Sequence, residues 1–409
     1  MEYQEVTLDR LARAECIERE QLVQLLEDNM LVVMGMQKGQ ILAIGKGATT
    51  KVNVNLGTSP MRADHDEEMQ KALVAHKLGA DTVSDCSTMG DIDALRRDLV
   101  HHSGLPVTSI PVYQAVVERG PFAEITDDAI LHVVQKHVDD GVSSIVIHAG
   151  FTKADLEYLR EHKRVMGIVS KGGSMTAAIS LSQDRENPFI TLYDEILEII
   201  EGTGVVLNLG NAMRSGCVHD LQDKAQFKEI KHNAVLAKRA NQRGIPVIIE
   251  GLGGHVNAGH LKAWIEQHNR ITSNRPLFVA GPLPTEIGLG HDHISAAIGG
   301  AMAAGYGADY LCAITPAEHL TLPSTDHVRE GVIAAKIAAH VADSMKSGLN
   351  DHFLPDKKIA EARAMKRWTG QFDHAIDPDG ASRLHPDVDG ECAMCGKYCA
   401  IAIMKKHGL

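Results

Sequence analysis

Aromatic side chains, long apolar runs and clustered positive charge are all scarce in this 409-residue sequence. Phe, Trp and Tyr make up 4% of the residues whereas glycine occurs 37 times, which favours tight turns over an aromatic-rich β-sandwich. No apolar run approaches the roughly 18 residues of a membrane span, and the charged N-terminus lacks an apolar signal core. The net charge of −12 argues against a nucleic-acid partner, because neutralising phosphates requires clustered Lys and Arg. We therefore expect neither a membrane nor a nucleic acid as partner.

Disulfide-forming cysteine patterns are also lacking. Cys16, Cys86, Cys217 and Cys312 stand singly, mostly in apolar surroundings, and are expected to be buried free thiols. A reducing cytoplasm is the compartment that this usage favours.

Three further cysteines stand close together near the C-terminus. Cys392, Cys395 and Cys399 form the pattern C-x2-C-x3-C, and an odd number of thiols cannot pair off into disulfides. Such a trio suits an iron–sulfur cluster with one iron left open, which could hold a substrate or S-adenosylmethionine. The alternative is a structural zinc knuckle completed by His385 or His407. Spacing alone does not decide between the two.

Short apolar runs alternate with helical segments from about residue 50, which predicts an α/β fold. Nine runs are candidate strands: 51–59, 80–88, 107–114, 143–150, 164–173, 204–211, 245–254, 275–283 and 308–315. We prefer a (βα)8 TIM-like barrel to a doubly wound open sheet, which would normally carry G-x-G-x-x-G after its first strand. A barrel needs one strand fewer, so the surplus run is either an entry hairpin or a loop that mimics a strand.

The chain is expected to divide into four parts. We expect an N-terminal helix and hairpin in residues 1–47 and the barrel in residues 48–326. A C-terminal helical region is expected in 327–372, and a linker with the cysteine-bearing tail in 373–409. The tail is predicted to be flexible because Asp, Pro and Gly are frequent after Trp368.

Polar residues stand at the ends of the predicted strands, where the catalytic residues of such barrels lie. The loops SKGGS (170–174) and GNAMRSG (210–216) combine backbone amides with Lys171 and Arg214, a combination that suits a phosphate group. His255 and His319 could share a metal whose other positions are filled by water or substrate. The alternative is that both are structural histidines.

Collinear motifs from about residue 50 to 400 resemble the phosphomethylpyrimidine synthase family of thiamine biosynthesis. They are NVNLGTS, ADTVSDCST, IPVYQAV, IHAG, GIVSKGGS, IIEGLGGHV, AGPLPTEIGLGHDHISAAIGGAM, TPAEHLTLP and CAMCGKYC. The resemblance implies radical S-adenosylmethionine chemistry on 5-aminoimidazole ribotide, with a [4Fe–4S] cluster and a divalent metal, often zinc. It also implies a homodimer whose cluster tail reaches the partner's barrel, and an electron donor such as flavodoxin or ferredoxin.

Site residues follow from the same resemblance by motif match. The family's substrate positions correspond to Asn55, Tyr113, His148, Ser170, Gly172, Arg214 and Glu250; its metal ligands to His255 and His319; and its cluster ligands to Cys392, Cys395 and Cys399.

The sequence departs from the pyrimidine-forming members within this pocket. Lys171 replaces an arginine, Asn211 an acid, Ser84 a methionine and Phe278 a tyrosine, so these four residues join the predicted substrate site. The run EGLGGHVNAG is one residue longer than its counterpart, and the cysteine spacing is one residue shorter. Because such groups orient a reactive intermediate, their loss should change the product.

The altered pocket favours the sister activity of the scaffold, which converts the same ribotide into 5-hydroxybenzimidazole for cobamides made anaerobically. The alternative within the family is phosphomethylpyrimidine synthase. Outside it, the alternatives are a metal-dependent aldolase or hydrolase barrel with a zinc-knuckle tail, and a metal-binding or redox-sensing module.

Overall fold

The computed structural model describes residues 5–35, 40–220, 222–251, 253–348, 350–388 and 390–408. Its strands are β1 Leu31–Gly35, β2 Ile41–Gly45, β3 Lys51–Leu56, β4 Thr82–Asp85, β5 Val107–Ser109, β6 Ser144–Ile147, β7 Val206–Leu209, β8 Val247–Glu250, β9 Leu277–Ala280 and β10 Tyr310–Ala313. Its α-helices are α1 Glu5–Glu15, α2 Arg19–Glu27, α3 His65–Lys77, α4 Ile92–His102, α5 Pro111–Arg119, α6 Asp127–Asp139, α7 Lys153–Glu161, α8 Lys171–Ser182, α9 Pro188–Thr191, α10 Tyr193–Ile200, α11 Lys224–Gln242, α12 Ala258–Ile271, α13 Asp292–Gly305, α14 Thr325–Ser347, α15 Leu354–Ala364, α16 Trp368–Phe372, α17 Pro378–Leu384 and α18 Ala400–Lys406.

Strands β3 to β10 form a closed barrel in which every neighbouring pair is parallel. The barrel closes where β10 pairs with β3, with Tyr310 opposite Lys51. Helices between consecutive strands cover its outside, since parallel neighbours need crossover connections. The predicted (βα)8 barrel is therefore confirmed.

The surplus candidate strand, 164–173, is a loop followed by the start of α8, so the prediction of a strand there is wrong and the loop alternative is confirmed. The Asp220 carboxylate accepts the backbone N–H groups of Val165 (2.6 Å) and Met166 (3.0 Å). Both side chains are exposed rather than buried in the barrel wall. The run therefore resembles a strand in sequence, but two of its backbone N–H groups donate to a side-chain carboxylate rather than to a neighbouring strand.

The antiparallel hairpin of β1 and β2 closes the amino-terminal end of the barrel. Its apolar residues pack in one cluster with Val206, Ile248, Phe278 and Tyr310, which come from the barrel strands. Two larger apolar clusters lie between the strands and the outer helices. The polar groups of the site consequently lie at the opposite, carboxyl-terminal end.

The chain separates into two compact units, Met1–Lys346 and Ser347–Leu409. The second unit contains short helices where composition predicts a linker. Helix α17 begins at a proline preceded by Asp377, whose carboxylate accepts the N–H of Gly380 at 2.9 Å, a common start for a helix. The division into four parts stays a prediction.

The remaining features of the fold concern membrane spans and the four single cysteines. No helix in the described ranges is both long and apolar enough to cross a membrane. Cys16 is exposed, so the expectation of burial is wrong there; it directly follows the end of α1 in a left-handed conformation with φ of 53°. Cys217 and Cys312 are buried as expected, and Cys86 is partly buried.

Candidate active site

The barrel's carboxyl-terminal end gathers the predicted substrate residues from seven connections. Four of them lie in strands: Asn55 in β3, Ser84 in β4, Glu250 in β8 and Phe278 in β9. Three lie in the first turns of helices: Tyr113 in α5, and Lys171 and Gly172 in α8. The other four lie in connections: His148 and Ser170 between β6 and α8, and Asn211 and Arg214 after β7. Phe278 lies deepest, because its ring stacks on Tyr310 with centroids 4.2 Å apart in the cluster beneath the mouth.

A hydrogen-bonded group of β3 and β4 side chains forms one wall. The Asn53 Oδ1 atom accepts from Thr82 Oγ1 and Ser84 Oγ, both at 2.9 Å, and its Nδ2 donates to Asn55 Oδ1 at 2.9 Å. Asn53, fully buried, thus holds the two predicted residues Asn55 and Ser84 in place. Motif reading missed it, although strand alternation puts Asn53 and Asn55 on one face.

Glu250 and Asn211 form the opposite wall. Glu250 accepts the Asn208 side-chain amide at 3.2 Å through Oε1 and the backbone N–H of Asn211 at 3.3 Å through Oε2. Burial raises the pKa of Glu250, and the Arg214 guanidinium opposes this shift. The Asn211 side chain is buried, and neither its oxygen nor its nitrogen has a partner within the described ranges. An unpartnered buried amide is costly, so a ligand's polar group would be bound strongly here.

His148 is held as a neutral imidazole. Its Nε2 atom lies 3.1 Å from Ser170 Oγ, while Nδ1 is buried without a partner among the described residues. Burial, with a smaller effect of Arg214, lowers its pKa to about 3. Gly172 lies directly against the ring, since a Cβ atom there would come within 2.3 Å of the imidazole. The glycine of SKGGS is therefore needed to let α8 approach His148.

Lys171 joins two elements across the mouth. Its ammonium group donates to the Cys86 carbonyl oxygen at 3.1 Å and lies 4.4 Å from the centre of the Tyr113 ring. Burial raises the pKa of Tyr113 well above its usual value and that of the Cys86 thiol to about 12. Lys171, predicted as a phosphate ligand, therefore makes contacts that tie α8 to the end of β4.

The loop that carries Arg214 packs against the first turn of α8. A Cβ atom on Gly173 would lie 2.5 Å from Ala212, and Arg214 donates through Nη1 to the Asn211 carbonyl at 3.2 Å. Buried Glu229 of α11 accepts the N–H groups of Ala212 (2.7 Å) and Met213 (2.9 Å). Sequence reasoning missed Glu229, since nothing in the helical pattern of α11 shows which loop it reaches.

The two predicted metal ligands face each other. The Nε2 atoms of His255 and His319 are 3.2 Å apart. Each Nδ1 atom contacts a carboxylate, Glu286 at 2.8 Å for His255 and Asp292 at 3.2 Å for His319. Carboxylates on the far nitrogens orient the rings and leave the two Nε2 atoms close together, an arrangement that suits a divalent cation. Glu286 and Asp292 were missed, although both stand in the motif AGPLPTEIGLGHDHI.

The described residues offer this cation few protein ligands. Within the ranges described, no group of three or more His, Cys, Asp or Glu residues is arranged to hold a metal. The histidine pair would therefore leave positions for water or substrate.

The cysteine trio lies in the second unit. Cys392 and Cys395 are exposed and Cys399 is partly exposed, and none forms a disulfide in the described part of the chain. The backbone N–H of Met394 donates to Cys392 Sγ at 3.4 Å, and Cys399 immediately precedes α18. Adjacent, accessible thiols with an N–H donor suit thiolate ligands of a cluster. Their role as cluster ligands stays a prediction.

Comparison with known proteins gives consistent matches. The family model described as "Radical SAM ThiC family" matches residues 3–406. A phosphomethylpyrimidine synthase of Archaeoglobus fulgidus is 39% identical over 404 residues, which cover 97% of this chain and 95% of the relative. One from a Thermoanaerobacter species is 41% identical over 401 residues, covering 93% and 92%. The Yersinia pestis dihydropteroate synthase structure covers 76% of this chain and 97% of its own, with 14% identity and a TM-score of 0.43, too low to carry a functional argument.

Proposed function

Because this chain belongs to the Radical SAM ThiC family, we propose that it converts 5-aminoimidazole ribotide into the phosphomethylpyrimidine indicated by the names of its relatives. One observation carries the proposal: the family match extends over residues 3–406 and so takes in both the polar barrel mouth and the cysteine trio. Radical S-adenosylmethionine enzymes use a [4Fe–4S] cluster and S-adenosylmethionine, which supply the radical that starts the reaction. We assign the cluster to Cys392, Cys395 and Cys399.

The barrel residues would bind and orient the ribotide. Arg214, in the loop that packs against the first turn of α8 through Ala212, provides a charged fork for the phosphate group. Asn211 and neutral His148 each have a buried polar atom with no partner among the described residues. These atoms would bind the ring or the ribose of the substrate. Glu250, fixed by Asn208 and Asn211, supplies an acceptor. Their common task is to hold one orientation while a reactive radical forms.

The histidine pair would hold a divalent metal, for which zinc is the first choice. Its nitrogens and their carboxylate partners fit such an ion. Metal analysis of the purified protein tests this choice, since His255→Ala with His319→Ala should abolish binding at the site.

A second product, 5-hydroxybenzimidazole, is favoured by the pocket itself. Asn211 stands where pyrimidine-forming relatives have an acid, and its amide is unpartnered within the described ranges. Lys171 is engaged with Cys86 and Tyr113, and Phe278 brings no hydroxyl group. The sequence alone ranks this product first, whereas the names of relatives at about 40% identity support the pyrimidine.

Anaerobic turnover of the ribotide decides between these products. The reconstituted enzyme would be given S-adenosylmethionine and a chemical reductant, and products identified by mass spectrometry. We expect hydroxymethylpyrimidine phosphate, and none from a Cys392→Ala control. Detection of 5-hydroxybenzimidazole would replace the first product by the second. Absence of both, with full cluster content, would contradict the proposed substrate.

We also propose a homodimer in the cytoplasm, served by flavodoxin or ferredoxin, in which the cysteine segment reaches the partner's barrel. Support comes from exposed apolar side chains around the barrel mouth, each in a connection that follows a barrel strand: Met61, Met89, Val165, Ile287 and Leu320. Neighbouring exposed apolar groups of this kind are typical of a surface that another segment covers.

A further inference from the structure

Glu286, in the connection after β9, contacts two parts of the site at once. Its Oε2 atom lies 2.8 Å from His255 Nδ1, and its Oε1 atom accepts the backbone N–H of Val218 at 2.8 Å. Val218 stands at the far end of the loop 211–218, which begins with Asn211 and carries Arg214. One carboxylate therefore joins a proposed metal ligand to the proposed phosphate loop.

His255 and this loop also meet through their backbones. His255 N–H donates to the Ser215 carbonyl at 3.3 Å, and Ser215 Oγ donates to the His255 carbonyl at 2.5 Å. Gly254 allows the approach, because a Cβ atom there would lie 2.4 Å from the Ser215 oxygen at a φ of 82°. Displacement of His255 should consequently displace the residue next to Arg214.

A cation on His255 would act through the imidazole. Binding at Nε2 makes the Nδ1–H group a stronger donor, which strengthens its hydrogen bond to a carboxylate. That carboxylate is the one that fixes Val218. A stiffer link at Val218 reduces the ordering that the loop must undergo when it receives a phosphate group.

We propose that Glu286 is a positioning residue that couples the histidine pair to the Arg214 loop. A divalent cation at His255 and His319 and a phosphate group at Arg214 then bind with positive cooperativity. The inference rests on the proposed function, which places the metal and the phosphate at these two positions.

Direct contact between a cation and a phosphate group would also produce cooperativity, but it would not depend on Glu286. Glu286→Gln keeps the size of the side chain while an amide nitrogen replaces one acceptor. Glu286→Asp keeps the charge but is one methylene too short to reach both partners. Glu266→Gln, an exposed change on α12, is the matched control.

Isothermal titration calorimetry under anaerobic conditions tests the coupling. The full chain would carry its reconstituted cluster, so that the three cysteines do not take up added metal. Ribose 5-phosphate is titrated with and without saturating Zn²⁺, and Zn²⁺ with and without ribose 5-phosphate. Reciprocity requires the two ratios of dissociation constants to agree, and couplings of this kind are typically about 5–150-fold.

We expect Zn²⁺ to tighten ribose 5-phosphate binding at least about fivefold in the unchanged protein and in Glu266→Gln. In Glu286→Gln and Glu286→Asp the factor should fall below about twofold, although each ligand alone still binds. An equal factor in all four proteins would overturn the role of Glu286 and leave the proposed function standing. A factor of one in the unchanged protein would do the same. Failure of either ligand to bind at all would overturn both this inference and the assigned sites.

Discussion

At the scale of single residues, buried carboxylates fix the loops that carry the ligand-binding groups. Glu229 accepts two consecutive N–H groups between Asn211 and Arg214. Burial raises its pKa to about 8, against the opposing effect of those N–H groups and of Arg164 and Arg214. The carboxyl group that accepts two N–H groups of the Arg214 loop thus changes charge near pH 8.

This shift predicts a pH-dependent contribution to stability. The unfolded-state pKa of a glutamate is about 4.3, so between that value and about 8 the folded protein binds more protons than the unfolded chain. The contribution is fully present below the lower value and is lost as pH rises through the higher one. Urea unfolding from pH 5 to 8.5 should therefore show the free energy of unfolding falling more steeply for the unchanged protein than for Glu229→Gln. Glu195→Gln, exposed on α10, should keep the original slope; a slope shared by all three proteins contradicts the prediction.

The location of Asn55, His148 and Glu250 at the barrel mouth could be predicted from the sequence, because motifs and strand ends mark these residues. Asn53 could be predicted in principle from alternation along β3, whereas Glu229 and Glu286 could not. Their partners lie on other elements, at distances that no local pattern encodes. The prediction of a strand over 164–173 failed for a related reason. Two backbone N–H groups of this run donate to Asp220, which stands more than fifty residues further along the chain.

At the scale of elements, the N-terminal helix is fastened to the barrel by a buried ion pair. Lys51 at the start of β3 places its ammonium group 2.8 Å from the Glu15 carboxylate of α1, and both side chains are only 5% exposed. Thr49 donates to the same carboxylate through its N–H and hydroxyl groups, each at 2.8 Å. These contacts hold α1 against the end of the barrel that the β1–β2 hairpin covers.

Removing one partner of this pair should destabilise the protein strongly. Glu15→Ala leaves the Lys51 ammonium buried without its counter-charge, which costs about 3–5 kcal/mol of unfolding free energy. Replacing both residues, as Glu15→Leu with Lys51→Met, should cost clearly less, because no charge is left uncompensated. Chemical denaturation monitored by circular dichroism measures both, with Glu20→Ala on the exposed face of α2 as control. Equal losses for the single and double variants would show that the charge is not the cause.

At the scale of the whole molecule, the chain combines a barrel with a separate cysteine-bearing unit. The barrel supplies the polar pocket and the histidine pair, whereas the proposed cluster ligands lie in Ser347–Leu409. The alternation of strands and helices predicts the barrel because each βα unit is local in sequence. No local pattern tells whether a cysteine unit serves its own barrel or its partner's, so this question needs an experiment on the assembled protein.

Complementation between two inactive variants answers it. Arg214→Ala should disable the barrel and Cys392→Ala the cluster, so each homodimer is expected to be inactive. If each cysteine unit serves the partner's barrel, every mixed dimer contains one barrel and one cysteine unit that are both intact and work together. Random association of the two variants makes half of the dimers mixed, and each mixed dimer has one working centre out of two. Activity should therefore recover to about one quarter of that of the unchanged enzyme. A cysteine unit that served its own barrel would give no recovery, because every chain then carries a defect in the centre it completes. Light scattering of the mixture, compared with the unchanged enzyme, shows whether the proposed dimer forms in both.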